Sequence, residues 1–204
     1  MKKIFNLISL ACLSVTLLLV SCASAKNQAT RQTSHQSSLR PVYITNSKKV
    51  SLLSPKFSTT TIDEVQLLDG TYGDTSFTLM SYTQINSKGI NLSLMNEFGA
   101  DMGNLSFDGE TVVFDSAYFP QALPGEYIIC DIQNAFYNPV ELEKNYKAAG
   151  LDFYSELVLY EDGDSVEIRK IFNGKKLIEE ITIAYKKVEI NNYLRGYKYT
   201  LLSE

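Results

Sequence analysis

The sequence predicts a mainly β protein with a helical lid, an α+β fold in which a curved antiparallel sheet of about 9–11 strands forms a barrel or an incomplete barrel. Three observations predict it. Short runs of alternating apolar and polar residues fill the chain from Ile62 onward, glycine-containing turn signals separate them, and a single long segment of helical spacing interrupts them between Leu123 and Gly150. That many antiparallel strands in one domain curl, because a flat sheet of this size would expose long unpaired edges.

The elements follow in order. Glu64–Leu68 reads as a first strand, with Gly70 and Gly73-Asp74 supplying the turn. From Thr75, Phe77 and Leu79 alternate with Thr78, Met80 and Tyr82, and Asn86-Ser87-Lys88-Gly89 ends that strand. Ile90–Met95 alternates again, Asn96-Glu97-Phe98-Gly99 turns the chain, and Met102–Phe107 follows. Asp108-Gly109 is a hairpin signal before Thr111–Asp115. In the helical segment Ile128, Ile132, Ala135 and Phe136 share one face and Pro124 suits a first turn. Asn138-Pro139 breaks the segment, a second helix runs from about Val140 to Ala149, and Gly150 stops it. Strands resume at Phe153–Tyr160 and Ser165–Phe172. Asn173-Gly174 predicts a type I′ hairpin into Leu177–Tyr185, a short strand lies near Val188–Ile190, and Tyr193–Leu202 closes the chain.

The first residues have a different character. Lys2 and Lys3 precede an apolar run from Ile4 to Val20, too short and too early for a spanning helix, so residues 1–21 read as an export signal. Its end, Leu19-Val20-Ser21-Cys22, resembles a bacterial lipobox, which implies acylation of Cys22 as the first mature residue. Acyl chains contribute about 0.8 kcal/mol per buried CH₂, so Cys22 is expected to hold the protein on a bilayer. Ala23 after the cysteine resembles an outer-membrane address, giving an expected periplasm-facing, lipid-anchored location. Residues 22–61, rich in Ser, Thr, Gln, Asn and Lys, read as a mostly flexible tether in which Val42–Ile44 and Val50–Leu53 can dock locally. Residues 62–204 are the expected folded domain, with the helical insertion near 123–150.

Composition narrows the function. A chain with 45% hydrophobic and 21% charged residues is globular. Loss of residues 1–21 removes two lysines and no acid, leaving 17 basic against 23 acidic residues and a formal charge of −6. An acidic domain without an Arg/Lys stripe does not suit nucleic acid. His35 is the only histidine and falls in the tether, and Cys130 is the only thiol of the folded part. Neither a Ser/His/Asp nor a Cys/His arrangement can therefore be built on the domain, no Cys/His metal spacing occurs, and no glycine-rich phosphate loop is present. The expectation is a protein that is not an enzyme and needs no cofactor or metal. The carboxylates that remain are Asp115, Glu126 and Asp131. Glu126 suits a helix N-terminus, whereas Asp131 shares a polar helix face with Tyr127 and Asn134. Cys130 reads as a small core residue.

The lipobox at Cys22, the turn Asn96-Glu97-Phe98-Gly99 leading to Leu105–Gly109, the helix at Asp131-Ile132-Gln133, Arg169 before the Asn173-Gly174 hairpin, Tyr185 and the ending Asn192–Tyr199 together resemble a family of bacterial lipoproteins of unknown function. That family is often encoded beside aryl-polyene and fatty-acid-synthesis-like genes and is similar to LolB. The resemblance spans about Val65–Leu202. It implies a LolA/LolB-like half-barrel with helices as a lid over a hydrophobic cavity, and it places Phe98 where LolB carries an exposed leucine that assists membrane insertion. On this reading Phe114, Phe119, Ile128, Ile132 and Phe136 are apolar lining. Asp131, Gln133, Arg169, Tyr185, Arg195 and Tyr197 are then polar or amphipathic groups of the cavity, its mouth or the lid hinge. The partners implied are the membrane, a lipophilic acyl, polyene-lipid or lipoprotein-acyl cargo, and a periplasmic carrier or biosynthetic protein; the chain itself is expected to be monomeric. The pattern leaves open whether the interior is hollow or filled. A filled interior would instead suit a non-catalytic scaffold subunit for envelope lipid or polyene biosynthesis.

Overall fold

The computed structural model describes residues 39–116, 118–119, 123–160 and 163–203; Cys22, His35 and the expected export signal lie outside them. Ten strands form one antiparallel sheet, preceded by a small hairpin, β1 (Val42–Tyr43) with β2 (Lys49–Val50). Five strands come before the helices: β3 (Ile62–Tyr72), β4 (Thr75–Asn86), β5 (Gly89–Met95), β6 (Asp101–Phe107) and β7 (Val112–Asp115). Two helices follow, α1 (Gly125–Phe136) and α2 (Pro139–Ala148). Then come β8 (Asp152–Leu159), β9 (Ser165–Asn173), β10 (Lys176–Ala184), β11 (Lys187–Asn192) and β12 (Tyr197–Ser203). The sheet is curved and is not closed into a barrel.

Its order, β7-β6-β5-β4-β3-β12-β11-β10-β9-β8, explains the place of the helices. Each block of five is a meander, and the blocks join where β12 pairs with β3, from Tyr197↔Tyr72 to Ser203↔Gln66. The chain therefore leaves one sheet edge at β7 and re-enters at the opposite edge, β8. The helices are the crossing between the two edges, and α1 buries its apolar residues against the sheet on the way. Along β4, Leu79, Ser81, Thr83 and Ile85 are buried while their neighbours are not, which is the alternation of a sheet covered on one face. We call the helix-bearing side the inner face.

Several turns obey local chemistry. Asn138 caps α2 by accepting from Val140 N and Glu141 N, Pro139 opens the helix, and Gly150 ends it at φ +71°. The β9–β10 hairpin differs from the expected type I′ turn. Asn173 pairs with Lys176, Gly174 sits at the first central position with φ +60°, and Lys175 keeps negative φ, the arrangement of a type II′ turn. The strands also run beyond their sequence signals: β3 passes through Gly70 to Tyr72, because Phe77 covers the face that a side chain at Gly70 would occupy.

The described fold begins before Ile62, within the stretch read as a tether with locally docking segments. From Leu39 the chain packs over α1 as a strap. Val42, Ile44, Val50 and Leu52 are buried, Thr59 N donates to Phe136 O, and Asn138 N donates to Phe57 O. Apolar residues at these alternating positions gain enough by covering the outer side of α1 to offset the ordering of a polar segment. As a result α1 is buried almost all round, from Glu126 to Phe136.

The start of α1 is seated tightly. A Cβ on Gly125 would lie 2.9 Å from Leu105 Cδ1, Phe114 Cβ and Val112 Cγ1. Gly125→Ala is expected to cost about 1–3 kcal/mol by overpacking. A urea midpoint equal to that of the unaltered protein would show that β6 and β7 yield freely there.

Candidate functional site

The polar groups of the inner face converge where α1 crosses β10, β11 and β12. The bulge between Leu177 and Glu179 in the β9–β10 pairing leaves Ile178 as an extra residue and sets Glu179 on the inner face in line with Ile181. Opposite it, Asn192 Nδ2 donates to Glu179 Oε2 at 2.7 Å, and from α1 Asn134 Nδ2 donates to Oε1 at 3.0 Å. Tyr146 of α2 donates to Asn134 Oδ1 at 2.9 Å, and the Cys130 thiol lies 3.8 Å from the Tyr146 hydroxyl. One turn earlier on α1, Asp131 Oδ2 accepts from Tyr197 at 2.7 Å and from Tyr199 at 3.3 Å. The network joins both helices to three strands.

Its electrostatics follow from burial. Asp131 is 7% exposed and Glu179 2% exposed. Burial pushes the Asp131 carboxyl well above its usual range, and the neighbouring Glu179 pushes it further, against the tyrosine hydrogen bonds and the Arg195 charge. Burial raises Glu179 as well, opposed by its two amide donors and Arg195. Burial, reinforced by these two acids, likewise pushes up the Cys130 thiol and the Tyr197 and Tyr199 hydroxyls, so these groups stay protonated. A thiol held this way is a core residue and not a nucleophile.

The residues singled out by sequence do not form one cavity mouth. Arg169 lies buried beneath the end of α1, where Nη1 donates to Asn134 O at 2.9 Å and Tyr137 O at 2.8 Å, and Nε donates to Glu167 Oε1 at 2.7 Å. Burial alone would raise the Glu167 carboxyl, but hydrogen bonds from Arg169 and Ser155 hold it below its usual range. Arg169 is therefore a helix-end anchor. Gln133 faces the strap, accepting from Leu53 N at 2.8 Å and donating to Leu53 O at 2.9 Å, because its amide matches one backbone donor and acceptor. Tyr185 is 85% exposed at the tip of the β10–β11 turn, away from any inner surface, where Lys186 lies over its ring. The turn needs two residues outside the ladder, and Tyr185 is one of them.

Other assignments fall together. Ile132 and Phe136 are buried in the core and Ile128 is half-buried against it. Phe114 and Phe119 join Phe77 in an aromatic group, with Phe77 and Phe119 edge to face at 5.8 Å. Arg195 is exposed, stacks over Tyr127 at 4.8 Å and donates to Tyr43 O. Glu126 pairs with Arg40 of the strap at 3.1 Å. Phe98 is 85% exposed at the β5–β6 turn, which Asn96 Oδ1 organises by accepting from Phe98 N at 3.0 Å and Ala100 N at 2.9 Å.

Glu179, Asn192, Tyr146 and Tyr199 were not among the residues assigned to the site by sequence. A usable signal existed for Glu179: an acid in step with Ile181 and Ile183 sits on the buried side of its strand. Among the described residues no group of three or more His, Cys, Asp or Glu could hold a metal, and no helix is long and apolar enough to cross a membrane.

No curated protein matches the chain. The family model described as "Protein of unknown function (DUF3261)" matches residues 63–203, from the first long strand to the last and including both helices, and the chain belongs to that family.

Proposed function

We propose that the protein is a lipid-anchored, periplasm-facing outer-membrane protein that takes up a lipophilic cargo on the inner face of the sheet, beneath α1. The cargo class is an acyl, polyene-lipid or lipoprotein-acyl chain, and the protein acts on it as a carrier or acceptor and not as a catalyst. The observation that carries this reading is the uneven fastening of α1. Its far end is held by Asp131, Asn134 and the Arg169 guanidinium. Its start rests on β6 and β7 at Gly125 beside Leu105, Val112 and Phe114, and its polar ties there, Glu126 to Arg40 at 3.1 Å, Tyr43 N to the Tyr127 hydroxyl at 3.3 Å and Arg195 over the Tyr127 ring, reach the solvent edge, whereas those of Asn134 and Arg169 at the far end are buried. A helix held so can lift at its start while hinged at its end. The inner face of β3, β4 and β5 carries Leu68, Leu79, Leu92 and Leu94 as buried apolar residues.

Two further features support the reading. The resemblance of Leu19–Cys22 to a lipobox supports a location at a bilayer, and the outward Phe98 suits the loop-tip position that the LolB likeness implies, since an exposed aromatic dips readily into a lipid interface. The test is a native mass spectrum of protein extracted from its membrane without added lipid. A bound amphiphile, together with uptake of a fluorescent fatty acid, is the expected result. A clean apo mass with no uptake removes the carrier reading.

A second reading has its own observation. The edge strand β8 exposes Tyr154, Leu157 and Leu159 along a border unpaired among the described residues, which suits a scaffold subunit that binds a biosynthetic partner. In that case the interior stays filled and the lipid experiments are negative.

A further inference from the structure

We propose that Gln66, Ser81 and Thr83 form a polar subsite on the inner face of β3 and β4. It receives a hydrogen-bond-donating group of the cargo, a hydroxyl or an amide N–H borne by an acyl chain. The inference rests on the carrier reading and narrows its cargo class.

Gln66 is 3% exposed, Ser81 0% and Thr83 1%, so three polar side chains are withdrawn from water on one face. The register sets Gln66 opposite Ser81 and Thr83 two residues further along, next to Leu94 and Leu92 of β5. Leu68 and Leu79 adjoin on one side and Ile85 on the other. A polar patch thus lies inside an apolar field.

Its hydrogen bonds are incomplete in one direction. Gln66 Nε2 donates to Glu64 Oε1 at 3.1 Å and Ser203 Oγ at 3.2 Å, and Ser203 Oγ donates to Glu64 Oε1 at 2.6 Å. A carboxylate only accepts, so the amide nitrogen must face Glu64 and the orientation of the amide is fixed. The carbonyl oxygen Oε1 then points the other way, buried and with no hydrogen-bond partner among the described residues. Ser81 Oγ and Thr83 Oγ1 lie 3.0 Å apart and share one hydrogen bond, which engages one of their two protons. Among the described residues the patch offers a bare acceptor and one remaining hydroxyl proton, with no cation among its three side chains. Buried acceptors in folded proteins nearly always find a donor. A carboxylate head has none to give and would face Glu64 nearby, whereas a neutral hydroxyl or amide N–H completes the set.

The test uses the full-length protein and displacement of a fluorescent fatty acid by myristic acid, β-hydroxymyristic acid and N-myristoylglycine. Binding of at least one of the latter two about tenfold more tightly than myristic acid is expected, and the tighter of them names the donor group. Gln66→Met removes the acceptor, and the volume-conserving pair Ser81→Ala with Thr83→Val removes the hydroxyls. Each is expected to bring the preference, read as the ratio of the two affinities in the same variant, within about twofold. The paired variant keeps the test open if Gln66→Met does not fold. Equal binding of all three compounds, or a preference that survives both variants, overturns the subsite and leaves the carrier reading standing. Binding of none of them removes the carrier reading and the subsite with it. A liganded crystal structure with only a buried water on Gln66 Oε1 and the cargo's donor elsewhere also overturns the subsite.

Discussion

Arg169→Ala is expected to lower the unfolding free energy by about 3–5 kcal/mol, the usual cost of removing one member of a buried charged set. At about 2–4 °C per kcal/mol for a domain of this size, the melting temperature falls by roughly 10 °C. The reason is the number of groups that depend on one guanidinium. With 4% of its side chain exposed, Arg169 serves two carbonyls at the end of α1 and the half-buried Glu167 carboxylate. Removing it orphans the carbonyls at the negative end of the helix dipole and leaves an acid beside them. Arg169→Lys is expected to recover less than half of the loss. One ammonium cannot match the planar fork that reaches Asn134 O and Tyr137 O through Nη1 and Glu167 through Nε. Urea unfolding measures both variants, and an Arg169→Ala protein within about 1 kcal/mol of the unaltered one would show that α1 is held from its other side, by the strap.

What the sequence made legible was local. Turn chemistry at Gly73-Asp74, Asp108-Gly109 and Asn173-Gly174 marks hairpins that the structure contains, and the break at Asn138-Pro139 separates the two helices. What it could not show was long-range. Nothing in β12 or β3 alone announces that Leu201 lies opposite Leu68, because the alternation of one strand does not name its neighbour. The strap was legible only as two segments able to dock, for a related reason. The composition of residues 39–60 is that of a linker, and only the helix surface it covers gives Val42, Ile44, Val50 and Leu52 somewhere to go. At the candidate site, Asp131 stood out as a carboxylate on a polar helix strip with Asn134. Its partners Tyr197, Tyr199 and, through Asn134, Glu179 come from strands more than forty residues away, so the sequence could not show that the strip faces inward.

Asp131→Asn is expected to stabilise the protein at about pH 8 and to leave it unchanged near pH 4, reversing the familiar acid lability of native carboxylates. The Asp131 carboxyl has its pKa raised in the folded state by burial and by Glu179. Between the ordinary carboxylate pKa and the raised one, the folded protein binds the proton and the unfolded chain does not. The stability that this proton contributes is complete at low pH and is lost as pH rises through that window. The groups facing the carboxyl are Glu179 from β10 and the Tyr197 and Tyr199 hydroxyls from β12. Arg195 in the β11–β12 turn supplies the opposing charge, and none of these is a buried cation able to neutralise both acids. The substitution keeps the geometry, since both tyrosines donate to the single oxygen Oδ2, which an asparagine carbonyl can replace. The expected gain at pH 8 is about 1–3 kcal/mol, the scale of one poorly compensated buried polar group. Glu179→Gln is not equivalent. Glu179 accepts an amide N–H on each oxygen, so a glutamine would set its NH₂ against the NH₂ of Asn134 or Asn192 and lose stability at every pH. Chemical unfolding from about pH 4 to 8 separates these cases. A protein that gains stability over this range, with Asp131→Asn no better than the parent at pH 8, would mean that Asp131 is ionised and paired in the fold.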